Sequence, residues 1–154
     1  MAKSIRKLNL VILDDDPAVL RLVKTYLDVE FKNQVNLHLL SDPHDAQLFF
    51  DERCCDILLS DIEMPGMDGL EVLKIAKKRS AWTQVIFMTG HSSWDRISTA
   101  IENGATDYLV KPLNREQLIN TVRYQLERLT RWQAAALETL HRKNSEREKL
   151  ATAT

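Results

Sequence analysis

Acidic, hydroxyl and basic residues follow four of the apolar segments of this chain. The segments are short and rich in Val, Ile and Leu, and each is followed closely by a side chain that can bind a metal ion or a phosphoryl group. In chain order, the segments and these residues are Leu8–Leu13 with Asp14, Asp15 and Asp16; Ile57–Leu59 with Asp61; Val85–Met88 with Thr89; and Tyr108–Val110 with Lys111.

The residue types in this set indicate metal-assisted phosphoryl chemistry. Clustered carboxylates repel one another unless a cation compensates them. Oxygen ligands without His or Cys select Mg²⁺, Mn²⁺ or Ca²⁺ over zinc, and a few carboxylates around an open face favour Mg²⁺. An ammonium and a hydroxyl group suit an incoming phosphoryl group, and a remaining carboxylate can act as its nucleophile.

The elements that position these residues alternate regularly along the chain. With Val35–Leu40, the apolar segments number five, and they show little polar alternation, which is typical of parallel strands covered on both faces. Amphipathic stretches lie between them and begin at helix-start signals, which are Asp16-Pro17, Ser41-Asp42-Pro43, Asp68-Gly69, Ser92-Ser93 and Asn114. This alternation predicts a three-layer α/β sandwich whose strands all end at one edge of the sheet, where the Asp, Thr and Lys side chains meet.

Length and composition limit the class of protein. The 154 residues suffice for one domain, and 44% hydrophobic residues allow a buried core. The 21 Lys and Arg residues nearly balance 22 Asp and Glu residues, so we expect no direct DNA binding. We see no membrane-spanning run and no secretory signal, and the neighbouring Cys54 and Cys55 suit free thiols, so we expect a cytoplasmic protein without membrane insertion.

Each signal also has a purely structural interpretation. The Asp14-Asp15-Asp16 triplet alone can be a loop with a helix cap, Asp61 alone is ambiguous, and Lys111-Pro112 alone can be a turn. The combination is more specific than its parts, because each element ends a different predicted strand.

Four longer motifs carry a resemblance to a known family. They are Val11-Ile12-Leu13-Asp14-Asp15-Asp16-Pro17, Leu59-Ser60-Asp61-Ile62-Glu63-Met64-Pro65-Gly66-Met67-Asp68-Gly69, Ile86-Phe87-Met88-Thr89-Gly90 and Asp107-Tyr108-Leu109-Val110-Lys111-Pro112. Through them, residues 8–128 resemble the receiver domain of two-component response regulators, the family that includes the chemotaxis response regulator. The resemblance implies a flavodoxin-like (βα)5 fold, a doubly wound parallel sheet of strand order 2-1-3-4-5. We therefore predict a receiver domain over residues 1–128 and an extended C-terminal helix or coiled-coil tail over residues 129–154.

The resemblance also implies a role for each residue of the site. Asp61 is the implied phospho-acceptor, and Lys111 is the implied partner of the phosphoryl group. The implied ligands of Mg²⁺ (or Mn²⁺) are the carboxylates of Asp15 and Asp61, the backbone carbonyl of Glu63 and, mainly through a bound water, Asp14. The bond between Lys111 and Pro112 is expected to be cis, and Asp16 is expected to cap the first helix rather than bind the metal.

Two further pairs are expected to tune the response. Thr89 and Tyr108 resemble the family's switch pair, in which the hydroxyl moves towards the phosphoryl group and the aromatic ring fills the vacated space. That movement would remodel the surface of the fourth helix, fifth strand and fifth helix. Glu63 and His91 each follow a site residue by two positions and are candidates for setting the phosphate lifetime, with solvated rim residues as the alternative.

The helical pattern continues beyond the receiver. No Gly or Pro occurs from Arg115 to Leu150, and good helix formers dominate this stretch, which as a continuous helix would be about 54 Å long. Its apolar residues have the 3–4 spacing of a coiled-coil seam, interrupted at Gln133; they are Ile119, Val122, Leu126, Leu129, Ala136 and Leu140. Three uses stay open: dimerisation, docking onto a partner, and connection to an output domain. A solvated tail is the fourth alternative.

These observations predict a phosphorylation-controlled switch rather than an enzyme. It would take its phosphoryl group from a sensor histidine kinase or phosphotransfer protein, hydrolyse it slowly, and bind a partner or dimerise. One alternative is the N-terminal receiver fragment of a larger output protein, and another is a scaffold with a vestigial site. A Mg²⁺-dependent phosphohydrolase is disfavoured. The haloacid-dehalogenase-like phosphatases have an Asp-x-Asp pair with the nucleophile directly after the first strand, whereas Asp61 follows the third.

Overall fold

Strands and helices alternate throughout a computed structural model that describes residues 6–90 and 93–153. The strands are β1 (Leu8–Leu13), β2 (Val35–Leu40), β3 (Ile57–Asp61), β4 (Gln84–Thr89) and β5 (Asp107–Val110). The helices are α1 (Pro17–Phe31), α2 (Pro43–Glu52), α3 (Gly69–Arg79), α4 (Trp94–Glu102) and α5 (Arg115–Thr152). The chain divides into two compact units, Met1–Thr121 and Val122–Thr154. In the described ranges, no helix combines the length and apolar character that crossing a membrane requires.

The five strands form one parallel sheet of order β2-β1-β3-β4-β5, which confirms the predicted flavodoxin-like topology. Its central strands are buried because helices cover both faces, as their unbroken apolar sequences predict. On one face, the sheet packs with α2 and α3 through a buried cluster that includes Val11, Leu58, Phe50 and Leu73. Burial of this kind supplies most of the free energy that holds the strand ends in place.

Side-chain caps determine where three of the helices begin. The carboxylates of Asp16, Asp42 and Asp68 each accept a hydrogen bond from a backbone amide in the first turn of α1, α2 and α3, respectively. Such a cap stabilises a helix by about 1 kcal/mol. These helices begin where the sequence predicts, and the predicted capping role of Asp16 is confirmed.

The third strand is longer than the sequence predicts. The apolar run ends at Leu59, but β3 continues through Ser60 to Asp61, and both polar residues are buried. The Ser60 hydroxyl donates to the carbonyl of Asp61 at 2.8 Å, so this polar group is satisfied inside the protein. Asp61 is therefore the last residue of a buried strand, in register with Met88 of β4, rather than part of a loop.

The second unit, Val122–Thr154, consists of most of α5. The helix is continuous to Thr152, which agrees with the predicted extension. Trp132, Leu137 and Leu140 expose large apolar side chains, and all residues from 141 to 153 are exposed.

A close backbone approach joins the end of β3 to the start of α3. The Gly69 amide donates to the Ile62 carbonyl at 2.6 Å. A Cβ atom at Gly69 would lie 2.3 Å from the carbonyl oxygen of Asp61 and 2.8 Å from Cα of Ile62. Backbone atoms cannot rotate away as a flexible side chain can, so the position requires glycine.

Replacing Gly69 with Ala should therefore lower the free energy of unfolding by roughly 2–3 kcal/mol, because the backbone after Asp61 must shift to admit the methyl group. Urea denaturation measures this change. Gly66→Ala is the control: Gly66 has a φ of 87° but open space around it, so only the backbone conformation is strained and the loss should be about 1 kcal/mol. Equal losses at both positions would contradict the steric argument.

Candidate functional site

The carboxyl ends of the parallel strands bring together four residues that are distant in sequence. Asp14 follows β1, Asp61 ends β3, Thr89 ends β4, and Lys111 follows β5. Carboxylate oxygens of Asp14, Asp15 and Asp61 all lie within 4.8 Å of one another. The Lys111 ammonium is 2.7 Å from Asp14 Oδ2 and 3.4 Å from Asp61 Oδ2. The predicted convergence of acidic residues with Lys111 is present in the fold.

Asp14 has lost all contact with solvent, and two donors compensate its burial. Its Oδ1 accepts a hydrogen bond from the Asp16 amide at 2.9 Å, and its Oδ2 accepts one from Lys111. A buried carboxylate without partners would cost several kcal/mol. Asp14 is thus a fixed anchor that holds the Lys111 side chain in the site.

Asp61 has a less favourable environment. Only 8% of the residue is exposed, and its Oδ1 accepts a long 3.4 Å hydrogen bond from the Glu63 amide. Burial raises the pKa of Asp61 above its ordinary value; the ammonium of Lys111 opposes the increase, and the charge of Asp14 adds to it. Its carboxylate is poorly solvated and makes only long hydrogen bonds, which leaves its oxygens available to an electrophile or a metal cation.

Lys111 remains positively charged despite partial burial. Burial alone acts to lower the pKa of its ammonium group. The hydrogen bond to Asp14 and the charges of Asp14 and Asp61 outweigh this effect, so the pKa is raised. The site therefore contains a permanent cation beside the Asp61 carboxylate.

The donor set of the site fits a hard divalent cation. All three clustered side chains offer carboxylate oxygen, the ligand type that Mg²⁺ and Mn²⁺ prefer. Asp14 and Asp61 are buried, whereas Asp15 is exposed and leaves the cluster open to solvent on its side. Three carboxylates face one ammonium, so the cluster carries an excess of negative charge that such a cation would balance.

Thr89 and Tyr108 lie next to each other at the edge of this cluster. Thr89 is 2% exposed, and its carbonyl accepts a hydrogen bond from the Lys111 amide at 3.0 Å. The Tyr108 hydroxyl is buried. Burial raises the pKa of Tyr108, the neighbouring Thr89 side chain opposes the increase, and the nearby charge of Asp61 adds to it. The two side chains thus lie close to each other and within electrostatic range of the acidic site.

The remaining predicted positions are placed as follows. The peptide bond between Lys111 and Pro112 is cis. Glu63 is half-exposed at the rim, and its carboxylate lies near Arg96 of α4. His91 lies outside the described residues.

Sequence reasoning missed Arg96. Its Nη2 donates to Asp68 Oδ2 at 2.9 Å, and its Nε is 4.0 Å from Glu63 Oε1. Its position in the sequence could have identified it. A basic residue in the first turn of a helix interacts unfavourably with the helix dipole, so a nearby acidic partner is expected.

Comparison with known proteins agrees with this geometry. Residues 10–123 match the response regulator receiver domain family. The chain is 33% identical to the transcriptional regulatory protein TrcR of Mycobacterium tuberculosis over 134 residues, which cover 86% of this chain and 51% of TrcR. It is 49% identical over 67 residues to the DNA-binding transcriptional regulator NtrC of Klebsiella pneumoniae, covering 44% of this chain and 14% of NtrC. The chain thus spans about half the length of TrcR and a smaller share of NtrC.

The fold is also found in solved structures. A CheY-like response regulator receiver domain protein from Methanospirillum hungatei JF-1 superimposes with a TM-score of 0.76 at 25% sequence identity, over 82% of this chain and 98% of that one. The family match covers most of the chain and includes every strand end that contributes to the site. The chain therefore belongs to the receiver-domain family of two-component response regulators, which are signalling proteins rather than classical enzymes.

Proposed function

We propose that this receiver accepts a phosphoryl group on Asp61 from a phosphohistidine of a sensor histidine kinase or phosphotransfer protein. One observation carries the proposal: a nearly buried carboxylate lies 3.4 Å from the Lys111 ammonium within a cluster of two further carboxylates. Burying such a group of charges costs free energy, and charge clusters of this kind are common at functional sites. Of the two buried members, Asp61 has longer hydrogen bonds than Asp14, which suits a nucleophile.

The reaction is an exchange of one bond to phosphorus for another. A carboxylate oxygen of Asp61 attacks the phosphorus atom, and the bond from phosphorus to the donor's imidazole nitrogen breaks, leaving the electron pair on that nitrogen. The product is an aspartyl phosphate, which water later hydrolyses slowly to restore Asp61. Lys111 balances charge on the phosphoryl oxygens, and the Thr89 hydroxyl donates to one of them. Because the transition state is loose and highly charged, this electrostatic stabilisation is the main catalytic contribution.

A divalent cation completes the proposed site. Mg²⁺, or Mn²⁺, would be held by the carboxylates of Asp15 and Asp61, by the backbone carbonyl of Glu63 and, through water, by Asp14. When bound, it supplies charge stabilisation for the phosphoryl oxygens. The all-oxygen donor set and its excess negative charge support this assignment.

Thr89 and Tyr108 form the proposed switch. Movement of the Thr89 hydroxyl towards the phosphoryl group frees space for the Tyr108 ring, and this alters the surface formed by α4, β5 and the start of α5. The proximity of the two side chains in this structure supports the pairing. Phosphorylation needs only to shift a pre-existing equilibrium, which requires a few kcal/mol of differential interaction.

We assign residues 1–128 to the receiver and residues 129–154 to an extension that forms a homodimer through α5. Support comes from the continuity of α5 and from exposed apolar side chains such as Trp132 and Leu140. The alternative is a receiver that controls a further output segment, as the greater length of the relatives TrcR and NtrC allows.

Asp61→Asn should abolish labelling by a small phosphodonor such as acetyl phosphate in the presence of Mg²⁺, because the amide cannot form the acyl phosphate. Intact-mass spectrometry measures the label, and circular dichroism confirms the fold. Asp45→Asn, an exposed change in α2, should label like the wild type. Stoichiometric labelling of Asp61→Asn would refute the assignment, and repeated turnover of a phosphomonoester would favour a phosphohydrolase.

The same substitution should stabilise the protein at neutral pH. Because the pKa of Asp61 is raised in the native state, that state binds more protons than the unfolded chain above the ordinary value of 3.8. The free energy of unfolding of the wild type therefore falls as the pH rises through the window between 3.8 and the raised native pKa. Asp61→Asn removes this loss, and Lys111 keeps Asp14 as its partner.

We expect the free energy of unfolding of Asp61→Asn to exceed that of the wild type at pH 7, with the difference shrinking towards acidic pH. Urea denaturation in chelator-containing buffer at several pH values measures it. A variant less stable than the wild type at pH 7 would show that the negative charge of Asp61 does not destabilise the native state.

The lifetime of the phosphoryl group on Asp61 can also be measured. We propose that Glu63 and His91 orient the attacking water, so His91→Ala should slow loss of phosphate about fivefold, the effect of a single hydrogen bond of roughly 1 kcal/mol. Timed loss of ³²P from labelled protein measures it, with Glu63→Gln tested in parallel. An unchanged lifetime in both variants would remove this role.

A further inference from the structure

Arg96 connects α4 to the segment that follows the proposed acceptor. We call this segment, residues 62–68 between β3 and α3, the acceptor loop. The backbone of Arg96 is fixed in the first turn of α4, where its amide donates to the N-cap hydroxyl of Ser93. Its side chain reaches both ends of the acceptor loop, at Asp68 and Glu63. A residue of α4 thus contacts the loop that follows Asp61.

Asp68 divides its two carboxylate oxygens between two helices. Its Oδ1 caps α3 by accepting from the amides of Leu70 and Glu71, while its Oδ2 accepts from Arg96 Nη2 at 2.9 Å. The start of α3 in turn packs against the backbone of Asp61 and Ile62 through Gly69. The ion pair therefore fastens α4 to a rigid part of the acceptor loop.

Glu63 forms the connection to Asp61 itself. Its amide donates to Asp61 Oδ1, and its carboxylate lies 4.0 Å from Arg96 Nε. The Nε–H group is buried, and among the described residues it has no hydrogen-bond acceptor. Among the described residues, the Nε–H group of the guanidinium is therefore an unpaired donor at the Glu63 end of the acceptor loop. Glu63 in turn contacts Asp61 through its backbone amide.

The helix that Arg96 holds is lightly packed. In α4, all of whose residues are described, Ala100 is the single buried side chain. Trp94 and Ile101 are 80% and 67% exposed. An element with so little buried area is held in place to a larger extent by its polar contacts, so one ion pair can determine its position.

We propose that Arg96 is a positioning residue that couples α4 to the charge state of Asp61 through Glu63 and Asp68. The inference rests on the proposed function. A phosphoryl group at Asp61 adds negative charge beside the amide of Glu63, the residue whose carboxylate lies near the Arg96 guanidinium. The acceptor loop and Arg96 adjust to that charge together, and α4 moves with them because its first turn carries the arginine.

The test compares the response of α4 to the phosphoryl mimic beryllofluoride with Mg²⁺. Fluorine NMR reports beryllofluoride bound at Asp61, and hydrogen exchange with mass spectrometry reports protection of residues 94–102 independently. The variants are Arg96→Gln, which removes the charge; Arg96→Lys, which keeps it; and Asp68→Asn, which keeps an oxygen to cap α3 but removes the ionic partner. Arg21→Gln, an exposed arginine change on α1, is the matched control.

In the wild type and in Arg21→Gln, beryllofluoride should bind and change hydrogen exchange in α4. In Arg96→Gln and Asp68→Asn it should still bind, but the change in α4 should fall about fivefold or more, with no further loss in the double variant. Arg96→Lys should restore part of the response. A merely structural role would lower the melting temperature and leave the response intact.

A full α4 response in Arg96→Gln or in Asp68→Asn with beryllofluoride bound would overturn the coupling role. The two variants are independent, so misfolding of one leaves the other as the test. Absence of bound beryllofluoride in the wild type would instead refute the proposed function, and the coupling role with it.

Discussion

The packing of two carboxylates against one ammonium is the constraint on which this structure depends. Asp14 and Asp61 are buried in the same small volume, and within residues 6–90 and 93–153 Lys111 is the cation that pairs with both. Such a group of charges is tolerated because the sheet fixes it: three different strands must end at the same edge and in register. The apolar core therefore serves to hold together charges that would otherwise separate.

The carboxylates of Asp14 and Asp61 differ in their hydrogen bonding. Asp14 is fully buried but well bonded, and it fixes Lys111. Asp61 is nearly as buried but poorly bonded, and its pKa is raised as a result. One carboxylate is thus structural and the other is available for chemistry, although both follow apolar strands in the sequence. Burial with only long hydrogen bonds costs stability at Asp61, a pattern common at functional sites.

Much of the fold and of the candidate site can be predicted from the sequence. Strand identity, the order of elements and the caps at Asp16, Asp42 and Asp68 follow from local patterns, because each depends on residues close in the chain. The convergence of Asp61 and Lys111 follows from parallel topology. The sequence predicts the end of β3 two residues too early, since Ser60 and Asp61 look like loop residues until their pairing with β4 is known. The pairing of Arg96 with Asp68 joins residues 28 positions apart, and no local pattern specifies which acidic residue a helix arginine meets.

The placement of Asp61 as a strand residue has a consequence for the encounter with any donor. A nucleophile on a mobile loop can move out to meet its reagent, whereas a carboxylate locked in a hydrogen-bonded strand and 8% exposed must wait for the reagent to enter. A small, compact reagent diffuses in past the open rim at Asp15. Under the proposed function, a macromolecular donor must therefore bring its reactive ring to a carboxylate whose position the strand fixes.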